Sequence, residues 1–108
     1  MNAAHTPLDV LTARAAEAAE VMKLLANEQR LLLLCRLTSG EASVTELVDS
    51  CGLSQSSGSQ HLAKLREGGL VATRRDGTTI FYRLADDGVY GLIDMLCQRF
   101  GGGDSRIH

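Results

Sequence analysis

A tight turn between two helix-forming segments limits the possible folds of this chain more than any other feature. Ser43 and Glu46 have the spacing of a capping box, which predicts that a short helix begins there. Gly52 ends this helix, and Ser54 is placed to cap a second helix that runs to about Glu67. Because the connection is so short, we expect the two helices to form a compact helix-turn-helix unit.

A β-hairpin is predicted directly after this unit. Gly68 and Gly69 break the second helix, and residues 70–75 and 79–84 then alternate polar and apolar side chains. Asp76 and Gly77 lie between the two alternating segments, and Asp-Gly is a strong hairpin signal. Helix, turn, helix and hairpin in this order predict a winged helix-turn-helix, a mainly α fold with a small β-hairpin wing.

Three further helices complete the predicted domain. Residues 8–26 and 28–37 have helical apolar spacing, and the second of these is apolar almost all round, which is typical of a buried helix. Asp86 or Asp87 is expected to cap the last helix. Its apolar side is predicted to consist of Val89, Leu92, Ile93, Leu96 and Phe100. We expect the domain to span residues 8–100, between a disordered segment at 1–7 and a flexible tail at 101–108.

Length and composition fit one domain that works inside the cell. The chain has 108 residues, 44% of them hydrophobic, and no apolar run approaches the length of a membrane span. We see no secretory signal, so the predicted location is cytoplasmic and the three cysteines are expected to be thiols. The net charge is −2, but residues 54–83 carry five Lys or Arg against two acidic residues. This basic segment favours a nucleic-acid partner.

The second helix of the unit is predicted to enter the major groove of DNA. Short side chains let its backbone approach, while Ser and Gln offer donors and acceptors to phosphates and base edges. The predicted DNA-binding residues on this helix are Gln55, Ser56, Ser57, Ser59, Gln60, His61 and Lys64. Arg74, Arg75 and Thr78 are predicted to contact DNA from the wing. The alternative is a winged helix that binds only protein.

The stretch SQSSGSQHLAKLREGGLVATRRDGTTIFYRL resembles the ArsR/SmtB family of winged-helix repressors. Leu25-Ala26-Asn27-Glu28 followed by Arg30 matches the family's entry into its second helix. The resemblance implies a homodimer built from the first and last helices, which binds an operator palindrome and is released by an inducer. Gly58 departs from the family, which usually has an aliphatic residue there, so we expect a loosely held recognition helix.

The inducer is the next question that the resemblance raises. The family's metal sensors carry Cys-Val-Cys where this chain has Ser43-Val44-Thr45, and others use His in the last helix, where this chain has none. We therefore expect no metal site and no cofactor. Cys35 and Cys97 resemble the dithiol of the persulfide- and redox-sensing branch, the SqrR- and BigR-like repressors, although Cys97 lies one helical turn early.

This resemblance implies that reactive sulfur species crosslink Cys35 and Cys97 and release the repressor from DNA. Arsenite or another thiophilic ion bound by the same cysteines is an alternative, as is a Cys35 that only fills space in the core. Cys51 is expected to be a bystander. An enzyme with a cysteine nucleophile is not expected, since His61 is the one internal histidine and lies in the DNA-facing half.

Overall fold

The computed structural model describes residues 6–102, and in this range it confirms a winged helix-turn-helix. The elements in chain order are α1 (Pro7–Ala13), α2 (Ala15–Leu25), α3 (Glu28–Leu37), β1 (Ala42–Ser43), α4 (Val44–Cys51), α5 (Gln55–Glu67), β2 (Val71–Asp76), β3 (Thr79–Leu84), α6 (Asp87–Cys97) and a π-helical turn (Gln98–Gly102). None of the helices in this part of the chain is long and apolar enough to cross a membrane. The predicted flexible ends lie mostly outside the described residues, at 1–5 and 103–108.

The first predicted helix is two helices. Thr6 and Asp9 form a capping box that starts α1 at Pro7, so the helix begins inside the segment predicted to be disordered. Arg14 leaves the helical region, with φ −127° and ψ 23°, and separates α1 from α2. Every residue of α1 is exposed in the single chain, so core packing does not hold α1 in line with α2.

The core lies where α3, α4, α5 and α6 meet. Its fully buried large side chains are Leu33, Leu34, Leu47, Leu62, Leu65 and Ile93. Each such side chain contributes roughly 1.5–3 kcal/mol by leaving water. The predicted bounds of α3 are confirmed, but the expectation that it is buried all round is wrong, because Leu32 is 48% exposed.

The predicted hairpin is confirmed as part of a three-stranded antiparallel sheet in the order β1-β3-β2. Asp76 pairs with Thr79, so a two-residue turn of Gly77 and Thr78 forms the tip, and Gly77 has the positive φ of 66° that this turn requires. The sequence prediction missed β1, in which Ala42 pairs with Tyr82. A two-residue strand is too short to show alternation.

The last helix begins as predicted but ends differently. Asp86 is its cap, accepting a hydrogen bond from the Val89 N–H at 2.9 Å. The α-helix ends at Cys97, and the chain continues as a π-helical turn from Gln98 to Gly102. Phe100, which was predicted on the apolar side of the last helix, lies in this turn and is 78% exposed in the single chain.

Gly58 allows α4 and α5 to pack closely. Gly58 is buried, and a Cβ atom built on it would overlap Cγ1 of Val48 on α4. Val48 thus occupies the space that a side chain at position 58 would take, so the glycine leaves no hole. This contact argues against the expectation that a missing aliphatic anchor loosens the helix here.

We expect the effect of Gly58→Ala on the unfolding free energy to change sign with the residue at position 48. In the natural background, overpacking of about 1–3 kcal/mol outweighs a helix-propensity gain of about 1 kcal/mol, so the unfolding free energy falls. In a Val48→Ala background the clash with Cγ1 is gone, and the same substitution raises the unfolding free energy by up to about 1 kcal/mol. Urea denaturation of the four variants measures both effects. A loss of equal size in both backgrounds would show that Val48 does not limit this position.

Candidate nucleic-acid interface and its cysteine pair

The turn between α4 and α5 is built by two local devices. Gly52 adopts the left-handed conformation, with φ 69°, and its N–H donates to the Val48 carbonyl. Ser54 Oγ accepts the Ser57 N–H at 3.0 Å and so caps α5. The first turn of α5 has no acidic residue, so its positive dipole end is not neutralised locally. These features make the N-terminus of α5 suited to meet a phosphate backbone.

The predicted DNA-binding residues of α5 fall into two groups. Gln55, Ser56, Ser59, Gln60 and Lys64 are exposed, as an outward-facing recognition surface requires. Ser57 and His61 are half-buried and turn toward α3 instead. They lie four residues apart and therefore share one face of the helix.

A glutamine that the sequence analysis missed holds this second group. The Ser57 hydroxyl lies 3.2 Å from Gln29 Oε1, and His61 Nε2 lies 2.7 Å from the same oxygen. Because a carbonyl oxygen only accepts, Nε2 of His61 carries the proton and donates. Gln29 belongs to α3 and lies 28 and 32 residues from its two partners, so no local pattern could have identified it.

Arg30 approaches the other side of the His61 ring. Its Nη1 lies 3.5 Å from His61 Nδ1, while its Nε donates to the Leu24 carbonyl at the end of α2. Burial lowers the pKa of His61, and the charges of Arg30 and Lys64 act in the same direction. His61 is therefore held as a neutral imidazole at neutral pH.

This arrangement predicts a pH-dependent stability. The contribution of His61 is complete above its ordinary pKa of 6.5 and is lost as the pH falls through the lower pKa of the folded state, because the unfolded chain binds the proton first. We expect the unfolding free energy to fall more steeply between about pH 7.5 and about pH 5.5 than in His61→Gln, which has no proton to bind in this range. Parallel urea titrations of both proteins measure this. Identical slopes would contradict it.

The predicted DNA-contacting residues of the wing are exposed, and one of them, Arg74, is held by neighbouring side chains. Arg74, Arg75 and Thr78 are all exposed, and Thr78 is at the tip. Arg74 lies further down the strand, where its Nε is 2.9 and 3.0 Å from the two carboxylate oxygens of Glu41. Its guanidinium also stacks 4.7 Å from the ring centre of Phe81. The hydrogen bond from Arg74 lowers the pKa of Glu41, so this carboxylate stays charged.

Glu41, also missed in the sequence analysis, thus holds the guanidinium that is predicted to contact DNA. We expect Glu41→Gln to strengthen DNA binding by roughly threefold per protomer, the size of a surface ion pair, because Arg74 becomes available to phosphate. The salt dependence should steepen as well, since one more phosphate is neutralised. Glu20→Gln, which breaks the exposed Lys23 pair on α2, is the matched control and should leave the affinity unchanged. Equal affinities for Glu41→Gln and the natural chain would show that Arg74 does not reach DNA.

Cys35 and Cys97 were expected to be thiols, but in the structure a disulfide joins them and links α3 to α6. Their Cα atoms are 6.3 Å apart, within the usual span of about 4.4–6.8 Å. Both residues are partly buried against the core. The position of Cys97 one turn early in the helix thus does not prevent the two cysteines from pairing.

Cys51 is a free thiol at the end of α4 and is half-buried. Burial raises its pKa, and the charge of Arg36 opposes this only in part. The thiol therefore remains protonated at neutral pH and reacts slowly. Among residues 6–102, no group of three His, Cys, Asp or Glu side chains could hold a metal ion.

Comparisons with known proteins agree with this geometry. The family described as bacterial regulatory protein, arsR family, matches residues 27–73. The biofilm growth-associated repressor of Agrobacterium fabrum is 44% identical over 100 residues, which cover 93% of this chain and 86% of the repressor. The structure of reduced HlyU from Vibrio cholerae, a transcriptional activator, matches with a TM-score of 0.78 and 43% identity over 84% of this chain and 96% of HlyU.

The third comparison is with the homodimeric winged helix-turn-helix DNA-binding domain of Mb0332 from Mycobacterium bovis. Its TM-score is 0.76 at 32% identity, covering 98% of this chain and 95% of that domain. The Agrobacterium repressor and HlyU are transcriptional regulators, which confirms the prediction that the chain is not an enzyme. The chain belongs to the arsR family of bacterial regulatory proteins and is a winged helix-turn-helix regulator of transcription.

Proposed function

We propose that this chain is a homodimeric repressor whose operator affinity falls when reactive sulfur species oxidise Cys35 and Cys97. The observation that carries the proposal is the pairing of these cysteines across α3 and α6, in a domain whose α5 presents an exposed polar face. The relative from Agrobacterium fabrum is a repressor, which supports repression as the role of this chain.

In the proposed complex, α5 lies in the major groove and its exposed glutamines read bases. Gln55 and Gln60 each have an amide that can bond both to N6 and to N7 of adenine. Ser56, Ser59 and Lys64 contact phosphates, which fix the position of the helix without reading sequence. Arg75 and Thr78 meet the backbone beside the groove from the wing.

Exposed apolar side chains support a dimer through the first and last helices. Large apolar residues of α1, α2, α6 and the π-helical turn lie open to solvent in the single chain. They are Leu8, Val10, Leu11, Met22, Tyr90, Met95 and Phe100. Such surface is commonly covered by a partner, and the relative from Mycobacterium bovis is homodimeric. A second copy of this chain, packed through these helices, places two α5 helices on one side of the dimer.

The proposed chemistry oxidises two thiols at the expense of a sulfane sulfur. The thiolate of one cysteine attacks the terminal sulfur of a persulfide RSSH, forming a cysteine persulfide and releasing RSH after protonation. The second cysteine then attacks the inner sulfur of that persulfide, so that the Cys35–Cys97 bond forms and hydrogen sulfide leaves. The two cysteines lose two electrons and two protons, and the sulfane sulfur takes them up.

The crosslink acts on DNA binding through the helices that it joins. It fixes α6, a predicted part of the dimer interface, against α3, which contacts α5. A change in the position of α6 at the dimer interface alters the distance between the two α5 helices. DNA half-sites one helical turn apart tolerate little change in this distance.

DNA binding itself is tested by selecting duplexes from a random library with the reduced protein. Fluorescence anisotropy of a selected duplex should show an affinity that falls steeply and log-linearly with salt, because several phosphates are contacted. Sedimentation of the free protein should give a dimer at micromolar concentration. A monomer, or a selection that enriches no duplex, would contradict the proposed function.

A further inference from the structure

The half of α5 that would enter the groove has little apolar packing of its own. Residues 55–61 contain no large apolar side chain, and Leu62 and Leu65 anchor the second half of the helix in the core. Gly58 contacts Val48 only through its backbone, since it has no side chain. Position 58 thus contributes close backbone packing against Val48 but no apolar side chain.

Hydrogen bonds to α3 hold the inner face of this half-helix. Ser57 and His61, on the inner face of this half-helix, both point to Oε1 of Gln29, at 3.2 and 2.7 Å. Arg30, the next residue of α3, contacts the opposite nitrogen of the His61 ring and also the last carbonyls of α2, at 2.7 Å from Leu24 O and 3.4 Å from Lys23 O. Two adjacent residues of α3 thus connect the end of α2 to the start of α5.

We propose that Gln29 is a positioning residue that orders the DNA-entering half of α5 through Ser57 and His61. This inference rests on the proposed function for its effect on DNA, although the ordering itself is a property of the free protein. Binding to DNA requires one orientation of Gln55 and Gln60, so a half-helix already held in that orientation loses less entropy when it binds. Gln29 acts through its acceptor oxygen and touches no base in this scheme.

Two substitutions at position 29 separate the acceptor from the bulk of the side chain. Gln29→Met keeps the length and the helix propensity and removes the acceptor, while Gln29→Glu keeps an acceptor oxygen. In the free protein, we expect amide hydrogen exchange of residues 58–61, the first hydrogen-bonded amides of α5, to quicken about tenfold in Gln29→Met. Residues 62–67 should be unchanged, and Gln29→Glu should keep the natural rates. Unchanged exchange in Gln29→Met, or a uniform increase along α5, would overturn the proposal.

A double-mutant cycle tests whether the effect on DNA runs through the two partners. Gln29→Met should weaken DNA binding about tenfold in the natural chain and have little further effect in a Ser57→Ala/His61→Ala background. Equal losses in both backgrounds would mean that Gln29 contacts DNA directly, and no loss in the natural chain would mean that it has no part in binding. If the natural chain itself binds no DNA, the proposed function fails, and the exchange experiment still decides the role of Gln29.

Discussion

Cys35→Ser and Cys97→Ser proteins are expected to stay bound to operator DNA after treatment with an organic persulfide, while the natural chain is released. Neither variant can form the bond that links α3 to α6. Allosteric coupling between two sites usually changes affinity by roughly 5- to 150-fold. We therefore expect the crosslink to lower the affinity of the natural chain for operator DNA by a factor in this range. Anisotropy of a labelled operator before and after treatment measures this, with mass spectrometry of the same samples to count the bonds formed.

Cys51→Ser is the matched control for this experiment, because Cys51 is a free thiol whose raised pKa makes it a poor nucleophile. It should respond to persulfide as the natural chain does. Arsenite and hydrogen peroxide, applied to the same set of proteins, identify the inducer. If persulfide released the Cys35→Ser protein from operator DNA, the cysteine pair would not be the sensor. If arsenite alone released the natural chain, the protein would be a metalloid sensor and not a sulfur sensor.

Gln60→Ala is expected to cause a large loss of sequence-specific binding. A bidentate contact to a base is worth about 1–3 kcal/mol, and a dimer loses it in both half-sites. Binding to an unrelated duplex should be nearly unchanged, because phosphate contacts supply it. Competition between operator and random DNA measures the two affinities in one titration.

Lys64→Gln provides the contrast to this variant. It should weaken binding to both duplexes alike and reduce the slope of log affinity against log salt by about 1 for each protomer. Since Gln60 and Lys64 are both exposed, neither change should shift the urea midpoint. A Gln60→Ala protein that keeps its preference for the operator would remove Gln60 from the recognition surface.

Local signals in the sequence were sufficient to predict the central helices and the wing. The capping box at Ser43 and Glu46 and the caps at Ser54 and Asp86 each stabilise a helix start through neighbouring residues, so they can be read without the fold. The break at Arg14 was missed, because the apolar spacing continues through it. The π-helical turn that contains Phe100 was also missed, because a change from α to π winding leaves no mark on apolar periodicity.

The contacts that order the candidate interface could not be predicted from the sequence, because they join residues that are far apart in the chain. Gln29 meets Ser57 and His61, and Glu41 meets Arg74, across separations of 28 to 33 residues. Nothing in the sequence near Gln29 or Glu41 distinguishes it from an ordinary solvated side chain. The cysteine pair was anticipated through resemblance to a family, since spacing alone does not show that residues 35 and 97 are neighbours.

Hydroxyl-radical footprinting of the reduced protein on a selected duplex tests most directly whether a dimer binds DNA through its two α5 helices and is released by the Cys35–Cys97 bond. Two α5 helices of one dimer, placed in successive major grooves, predict two protected patches whose centres lie about 10 base pairs apart. Both patches should fade together when persulfide joins Cys35 to Cys97. A single protected patch, or a footprint that survives complete formation of this bond, would contradict the account.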